Sequence, residues 1–120
     1  MHELSIALSI VDAACEELAR QPHSRVAAVH LRLGPLSGVV KDALTFSYDL
    51  ACAGTPLEGS ELRIEDVPIR IYCDRCHADA EPVSIQAMRC PRCGSPAART
   101  VQGTELQVAS LELCEMGAPA

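Results

Sequence analysis

The chain has 120 residues and a mass of 12.8 kDa, which suits one compact domain with at most a small satellite. Its 48% of hydrophobic and 22% of charged residues are the balance of a globular protein and exclude disorder. A formal net charge of −6, with two Tyr, one Phe and no Trp, argues against a nucleic-acid-binding protein. Charges interrupt the long apolar stretches and no basic region opens the sequence, so we expect a cytoplasmic protein without a membrane helix.

The first third of the sequence predicts a helix followed by a strand. Residues 4–20 have the periodicity of an amphipathic helix. The apolar stripe of this helix consists of Leu4, Ala7, Leu8, Val11, Cys15 and Leu18. Ile6 and Ile10 lie outside the stripe and widen it, so the helix is either covered on more than one side or offers apolar surface to a partner. Our hypothesis is that both residues form part of a partner-binding surface. Residues 26–33 alternate with period two and predict a strand. The apolar face of the strand consists of Ala27, Val29, Leu31 and Leu33.

The rest of the regular structure is predicted as a second helix and two more extended runs. The helix covers residues 40–53, with Gly54 as its C-terminal cap. The first run, residues 61–72, changes phase next to Pro68, which indicates a bulge or a break. The second run covers residues 104–114.

The segment between these two runs, residues 73–100, has four of the seven cysteines and almost no apolar periodicity. It cannot build a hydrophobic core, so another interaction must fold it. Positions 70–99 contain five arginines but only three acidic residues. This local excess of positive charge offsets the net negative charge of four thiolates around a divalent metal.

The segment has two Cys-x-x-Cys pairs, Cys73 with Cys76 and Cys90 with Cys93, and Gly94 follows the second pair. Two such turns supply four sulfurs in tetrahedral geometry, which suits structural Zn²⁺. Zinc would supply the folding free energy that the segment lacks. Three alternatives remain open on spacing alone: two disulfides, a rubredoxin-like iron centre and a dithiol redox site.

The remaining cysteines and histidines are given structural interpretations. Three cysteines lie among hydrophobic residues and are expected to be core thiols. They are Cys15, Cys52 and Cys114. His77 follows Cys76 directly and is expected to be an exposed residue of the ribbon. His23 and His30 are expected to be solvated.

The first residues of the sequence can chelate a metal of a different kind. The α-amine of Met1, the main-chain nitrogen of His2 and its imidazole can close two adjacent chelate rings, and Glu3 can add a nitrogen or a carboxylate. Planar, nitrogen-rich ligation of this kind suits Ni²⁺ and Cu²⁺. A cation here faces the positive end of a helix dipole, so we expect moderate binding that weakens as pH falls. This is the behaviour of a metal carrier.

Taken together, these features resemble the hydrogenase maturation nickel metallochaperones of the HypA/HybF family. The resemblance covers nearly the whole chain. Besides the two Cys-x-x-Cys pairs, it rests on Met1-His2-Glu3-Leu4-Ser5, Leu33-Gly34-Pro35-Leu36-Ser37-Gly38, Gly54-Thr55-Pro56-Leu57-Glu58-Gly59 and Leu111-Glu112-Leu113. It implies an α/β fold of two helices on a small three-stranded sheet, with an inserted zinc-ribbon module. The nickel-binding domain would comprise residues 1–72 and 101–120, and the zinc ribbon residues 73–100.

The resemblance also implies a function without catalysis. Nickel would be bound through His2, with weaker support from Met1 and Glu3, and delivered to the large subunit of a [NiFe]-hydrogenase. The four cysteines of the ribbon would hold zinc. A nickel-handling GTPase is the implied partner, with urease maturation proteins as further partners. Several members place a carboxylate at the start of the second helix, where this chain offers only Asp42. The interpretations from other classes are a zinc-ribbon nucleic-acid or transcription module and a rubredoxin-like electron carrier.

Overall fold

The computed structural model describes residues 2–22 and 24–115. The interpretations given to Met1 and His23 therefore lie outside the described residues. The chain forms two compact units, one comprising Met1–Leu31, Gly38–Glu65 and Gln107–Ala120, the other Arg32–Ser37 and Asp66–Leu106.

The first unit contains both helices, α1 (Glu3–Leu18) and α2 (Lys41–Cys52), which pack against each other. The face that α1 buries differs from the predicted stripe. The buried residues are Ile6, Ala7, Ile10, Val11 and Ala14. Leu4 and Leu8, by contrast, are 45% and 47% exposed. The expectation that Ile6 and Ile10 form a partner surface is therefore wrong, because both side chains belong to the core.

Helix α2 contributes Leu44, Tyr48, Ala51 and Cys52 to the same core. It ends with Ala53 as its C-cap, and Gly54 follows with φ +76°. This left-handed residue after the last helical turn confirms the predicted cap, since a glycine adopts such a conformation without steric cost. Phe46 and Leu50 remain on the exposed side of α2.

Three strands form a sheet in the order β2–β1–β6. They are β1 (Ser24–Leu33), β2 (Glu61–Asp66) and β6 (Leu106–Glu115). Strand β1 buries Val29, Leu31 and Leu33 as predicted, but Ala27 is exposed while its neighbours Val26 and Ala28 are buried. The inward alternation therefore shifts by one residue at Val29, which the pattern of small apolar residues did not indicate.

The predicted break next to Pro68 is confirmed, and it separates two strands that belong to different sheets. After β2 ends at Asp66, β3 (Arg70–Cys73) pairs with β4 (Ala78–Ala80) and β5 (Arg99–Gln102), in the order β4–β3–β5. Both pairings of β3 are antiparallel. Ile71, Cys73, Ala80 and Cys90 are buried in this second unit, which thus has a small core of apolar and thiol side chains.

These elements confirm the predicted fold class: two helices, a three-stranded sheet and an inserted module that carries the paired cysteines. The helices of the described residues include none long and apolar enough to cross a membrane.

Candidate metal centres

The four ribbon cysteines lie together in the second unit. One ligand atom from each of Cys73, Cys76, Cys90 and Cys93 lies within 4.8 Å of the others. The Sγ atoms of Cys73 and Cys93 are 3.5 Å apart, and those of Cys76 and Cys90 are 3.9 Å apart. Within residues 2–22 and 24–115, this is the one group of three or more His, Cys, Asp or Glu side chains placed to share a metal ion.

The two Cys-x-x-Cys turns share one backbone feature, a left-handed residue directly after the second cysteine. In the first, the N–H of Cys76 donates to Cys73 Sγ over 3.4 Å, and His77 follows with φ 54°. In the second, the N–H of Gly94 donates to the carbonyl of Cys90 over 2.8 Å, and Gly94 has φ +74°. Each turn therefore ends in a left-handed residue directly after its second cysteine. His77 occupies the position that glycine occupies in the other turn.

Hydrogen bonds around the four sulfurs shift the pKa values of three of the thiols. Those with Ser95 lower the pKa of the Cys93 thiol to about 6. Main-chain hydrogen bonds from Cys93 and Arg92 lower the pKa of Cys90. Hydrogen bonding with Cys93 raises the pKa of Cys76 to about 12. The turn around Cys90 and Cys93 thus favours thiolates, which are the form that binds metal. Ser95 is a contributor that the sequence analysis missed; its position directly after Cys-x-x-Cys-Gly was the available signal.

The donor set suits structural zinc. A tetrahedral ion with Zn–S bonds of about 2.3 Å requires sulfurs about 3.8 Å apart, and the two measured separations, 3.5 and 3.9 Å, lie close to this value. Four thiolates leave no open coordination position, which is typical of structural rather than catalytic zinc. The Cys73 and Cys90 side chains are also fully buried.

The other candidate ligands lie apart from this cluster. His77 is exposed, as predicted, and Cys52 is buried, whereas Cys15 and Cys114 are half-buried. His30 is half-buried rather than solvated. Its Nε2 lies 3.7 Å from a carboxylate oxygen of Glu112.

His2 lies at the start of α1. It is the N-cap residue, it is exposed, and its backbone is extended, with φ −90° and ψ 125°. Its carbonyl accepts the first helical hydrogen bond, from the N–H of Ile6 over 3.3 Å, whereas its imidazole makes no capping hydrogen bond. The main-chain nitrogens of His2 and Glu3 therefore precede the hydrogen-bond ladder of the helix.

The side chain of Glu3 reaches from α1 to α2. Its Oε2 accepts a hydrogen bond from the N–H of Val40, the N-cap of α2, over 3.3 Å. In a capping box, a side chain from the first turn of the same helix accepts the N–H of the N-cap residue. Here the carboxylate of Glu3, from α1, accepts that N–H instead. Asp42, in the first turn of α2, is exposed. The sequence analysis missed the contact between Glu3 and Val40, because 37 residues separate the two.

Comparison with known proteins identifies the family. A family model described as "Hydrogenase/urease nickel incorporation, metallochaperone, hypA" matches residues 1–113. The chain belongs to the HypA family. The hydrogenase maturation factor HypA of Roseiflexus sp. (strain RS-1) is 51% identical over 112 residues, which cover 93% of this chain and 91% of that protein. The hydrogenase maturation factor HybF of Klebsiella pneumoniae is 38% identical over 93% of this chain and 98% of that protein.

Solved structures agree with this assignment. The solution structure of the Ni metallochaperone HypA from Helicobacter pylori has a TM-score of 0.60 at 24% identity and covers 97% of this chain and 98% of its own, which supports the fold. A second solution structure of a HypA protein has a TM-score of 0.67 at 26% identity. The match covers 95% of this chain and 97% of that protein. HypA proteins are nickel-incorporating metallochaperones, which fits a protein without catalytic function and favours this interpretation over a nucleic-acid module.

Proposed function

We propose that this HypA protein is a cytoplasmic nickel carrier that binds Ni(II) at its N-terminus and delivers it to the large subunit of a [NiFe]-hydrogenase. His2 supplies the indispensable ligand. The α-amine of Met1 and the main-chain nitrogen of Glu3 supply weaker donors. The observation that carries the proposal is the position of His2: an exposed imidazole without a capping hydrogen bond, next to main-chain nitrogens that precede the helical ladder.

The contact between Glu3 and Val40 favours the main-chain nitrogen of Glu3 over its carboxylate as the nickel donor. One carboxylate oxygen already accepts the N–H at the start of α2. Amine, amide and imidazole nitrogens give the planar, nitrogen-rich geometry that Ni(II) favours. Because the positive end of the α1 dipole opposes a cation, and because the donors must lose protons, nickel is held moderately and released as pH falls.

The four ribbon cysteines, Cys73, Cys76, Cys90 and Cys93, hold structural zinc in this proposal. Residues 73–100 form the zinc-ribbon insert, and residues 1–72 and 101–120 form the nickel-binding domain. Zinc stays bound while nickel is loaded and released, because four sulfurs retain zinc and nitrogen donors favour nickel. A nickel-handling GTPase and the hydrogenase large subunit are the proposed partners, and urease maturation proteins are a second set of clients.

Two measurements test this function. The first is magnetic susceptibility of the nickel-loaded, zinc-replete protein, since planar nitrogen ligation makes Ni(II) diamagnetic, whereas a six-coordinate oxygen-rich site leaves it paramagnetic. The second is complementation in cells that lack the native protein. The His2→Ala variant should leave the hydrogenase large subunit without nickel while its own zinc content stays normal. A large subunit that receives its full nickel content from the His2→Ala protein would refute the proposal.

A further inference from the structure

Strand β6 is an outer strand of its sheet, and no other strand of residues 2–22 and 24–115 pairs with its outer side. In the order β2–β1–β6 both outer strands are edges, and among the described residues β1 is the strand that pairs with β6. Strand β2 has six residues, of which four are charged, a composition that discourages further strand pairing. Strand β6 has ten residues, with Glu112 and Glu115 as its only charged side chains, and it contains no Lys, Arg or Pro.

A groove of about 400 Å³ runs along this edge, between β6 and the second half of α1. Small side chains, Ala13 and Ala14 on the helix and Ala109 on the strand, keep it open. Leu111 and Leu113 continue the strand side of the groove, and Leu113 is 37% exposed. The groove therefore offers apolar contact surface directly beside main-chain groups at a sheet edge.

The two faces of β6 differ in chemistry. Ala109, Leu111 and Leu113 alternate along the strand and line the groove next to α1. Glu112, which points to the opposite face, accepts a hydrogen bond from Arg63 Nη1 over 2.7 Å and lies 3.7 Å from His30 Nε2. A strand added to this edge would thus place alternate side chains in an apolar groove and on a charged face.

The charge around the groove determines which sign of charge a binding partner should carry. The two segments that border it, residues 12–21 and 106–115, contain five carboxylates and one guanidinium. That guanidinium, Arg20, pairs with Glu17 over 3.3 Å, and both side chains are largely exposed. Arg63, which contacts Glu112, adds a second guanidinium. Five carboxylates against two guanidiniums leave a net negative border that attracts basic segments.

From these observations we propose that the edge of β6 binds an extended segment of another protein as a fourth strand. Main-chain hydrogen bonds to β6 provide affinity, and the alternation of apolar and basic side chains along the segment provides specificity. Apolar side chains of the segment enter the groove beside α1, and the basic side chains between them lie on the face of Glu112. This inference does not rest on the proposed nickel function, and it is tested without nickel.

A synthetic probe tests the proposal on the full, zinc-loaded chain. The probe is a fluorescent ten-residue peptide that alternates valine and lysine, with both ends blocked. Fluorescence anisotropy at low salt should show saturable binding, weaker as salt rises. A peptide with the same five valines followed by the five lysines should bind at least about tenfold more weakly, because it cannot match both faces. Equal binding of the two peptides would overturn the proposal, as would no binding of the alternating one.

Two further controls separate strand addition from simple contact with the groove. N-methylation of either the valine or the lysine amides should abolish binding in one case only, because only alternate amides face β6. The Ala13→Arg variant fills the groove and should weaken binding at least about tenfold. Ser9→Arg, with the same charge on an exposed position of α1 outside the groove, should not. Equal effects of both methylated peptides or both variants would overturn the proposal. So would a dimer of the native chain, detected by sedimentation, that Ala13→Arg dissociates, since a second copy would then occupy the edge.

Discussion

The carboxylate of Glu3, at the start of α1, accepts a hydrogen bond from the N–H of Val40 and thereby caps α2. The Glu3→Ala variant should lose about 1 kcal/mol of unfolding free energy, the usual net contribution of one hydrogen bond. Glu3→Gln keeps a side-chain oxygen and should lose less. Urea unfolding of the zinc-loaded protein, followed by circular dichroism, measures both. Glu16→Ala, at an exposed position of α1, is the control and should lose less than Glu3→Ala.

The same variant separates the two possible nickel donors of Glu3. If the donor is its main-chain nitrogen, Glu3→Ala loses stability but still binds one nickel equivalent. Loss of nickel binding in Glu3→Ala, in a protein still folded by circular dichroism, would show instead that the carboxylate is required.

The left-handed conformation of His77 (φ 54°) predicts that the first zinc turn is strained. A residue with a Cβ in this region costs about 1–2 kcal/mol. Replacing it with glycine removes this cost but also gives the unfolded chain more conformational freedom, which cancels part of the gain. The His77→Gly variant should therefore stabilise the ribbon by about 0.5–1 kcal/mol. Gly94→Ala, at the matching position of the other turn, should destabilise it. Denaturant-dependent transfer of zinc to a chromophoric chelator measures both effects. Faster loss of zinc from His77→Gly than from the native chain would mean that the imidazole helps to hold the ion.

Gly34 is required by close contact rather than by backbone conformation. A Cβ on Gly34 would clash with the carbonyl oxygen of Gly103. The N–H of Leu36 donates to the same oxygen over 2.8 Å, which holds the two segments together. The Gly34→Ala variant should lose at least about 3 kcal/mol of unfolding free energy. Gly38→Ala is the comparison: Gly38 has φ +80° but open space around it, so only the conformational cost of about 1–2 kcal/mol applies. Equal urea midpoints for the two variants would contradict this account.

The hydroxyl of Tyr48, within the first unit, predicts an alkaline limit to stability. The side chain is fully buried, and its Oη lies 2.6 Å from Ser60 Oγ. Burial raises the pKa of Tyr48 above its ordinary value of 10. The unfolded chain therefore releases this proton at a lower pH than the folded one, and stability falls as pH rises above 10.

Absorbance titration of a Tyr72→Phe variant, which leaves Tyr48 as the only tyrosine, measures this ionisation directly. Tyr48 should remain un-ionised at pH 10 and ionise only together with unfolding. Reversible ionisation near pH 10 in the folded protein would contradict the buried position. Tyr48→Phe should abolish this tyrosine-linked loss of alkaline stability and cost about 1 kcal/mol at neutral pH, through the lost hydrogen bond to Ser60.

The sequence predicted the order of the two helices and of the three strands of the first sheet. It did not predict the short strands β4 and β5 or the orientation of α1. Its residues are apolar around much of the helix, so the stripe through Leu4 and Leu8 and the stripe through Ile6 and Ile10 both fit helical spacing. Packing against α2 selects between them, and that information lies outside the helix. The break at Pro68 was predictable because proline disrupts strand pairing. That β2 and β3 join different sheets was not.

The cysteine cluster was predictable because each Cys-x-x-Cys turn is local, and the metal preference of four sulfurs is a matter of ligand chemistry. The groove between α1 and β6 depends on small residues nearly 100 positions apart, and no local pattern indicates it. The same holds for the cap that Glu3 provides to α2.

Nickel titration of the tagless, zinc-loaded protein by isothermal calorimetry near neutral pH tests the central claim most directly. The native chain should bind one further equivalent of nickel. The His2→Ala variant should lose more than about 100-fold in nickel affinity. Removing a residue that only hydrogen-bonds to a metal ligand already lowers metal affinity about 10–100-fold. His30→Ala should bind as the native chain does. Absence of nickel uptake by the native chain, or undiminished uptake by His2→Ala, would contradict the account.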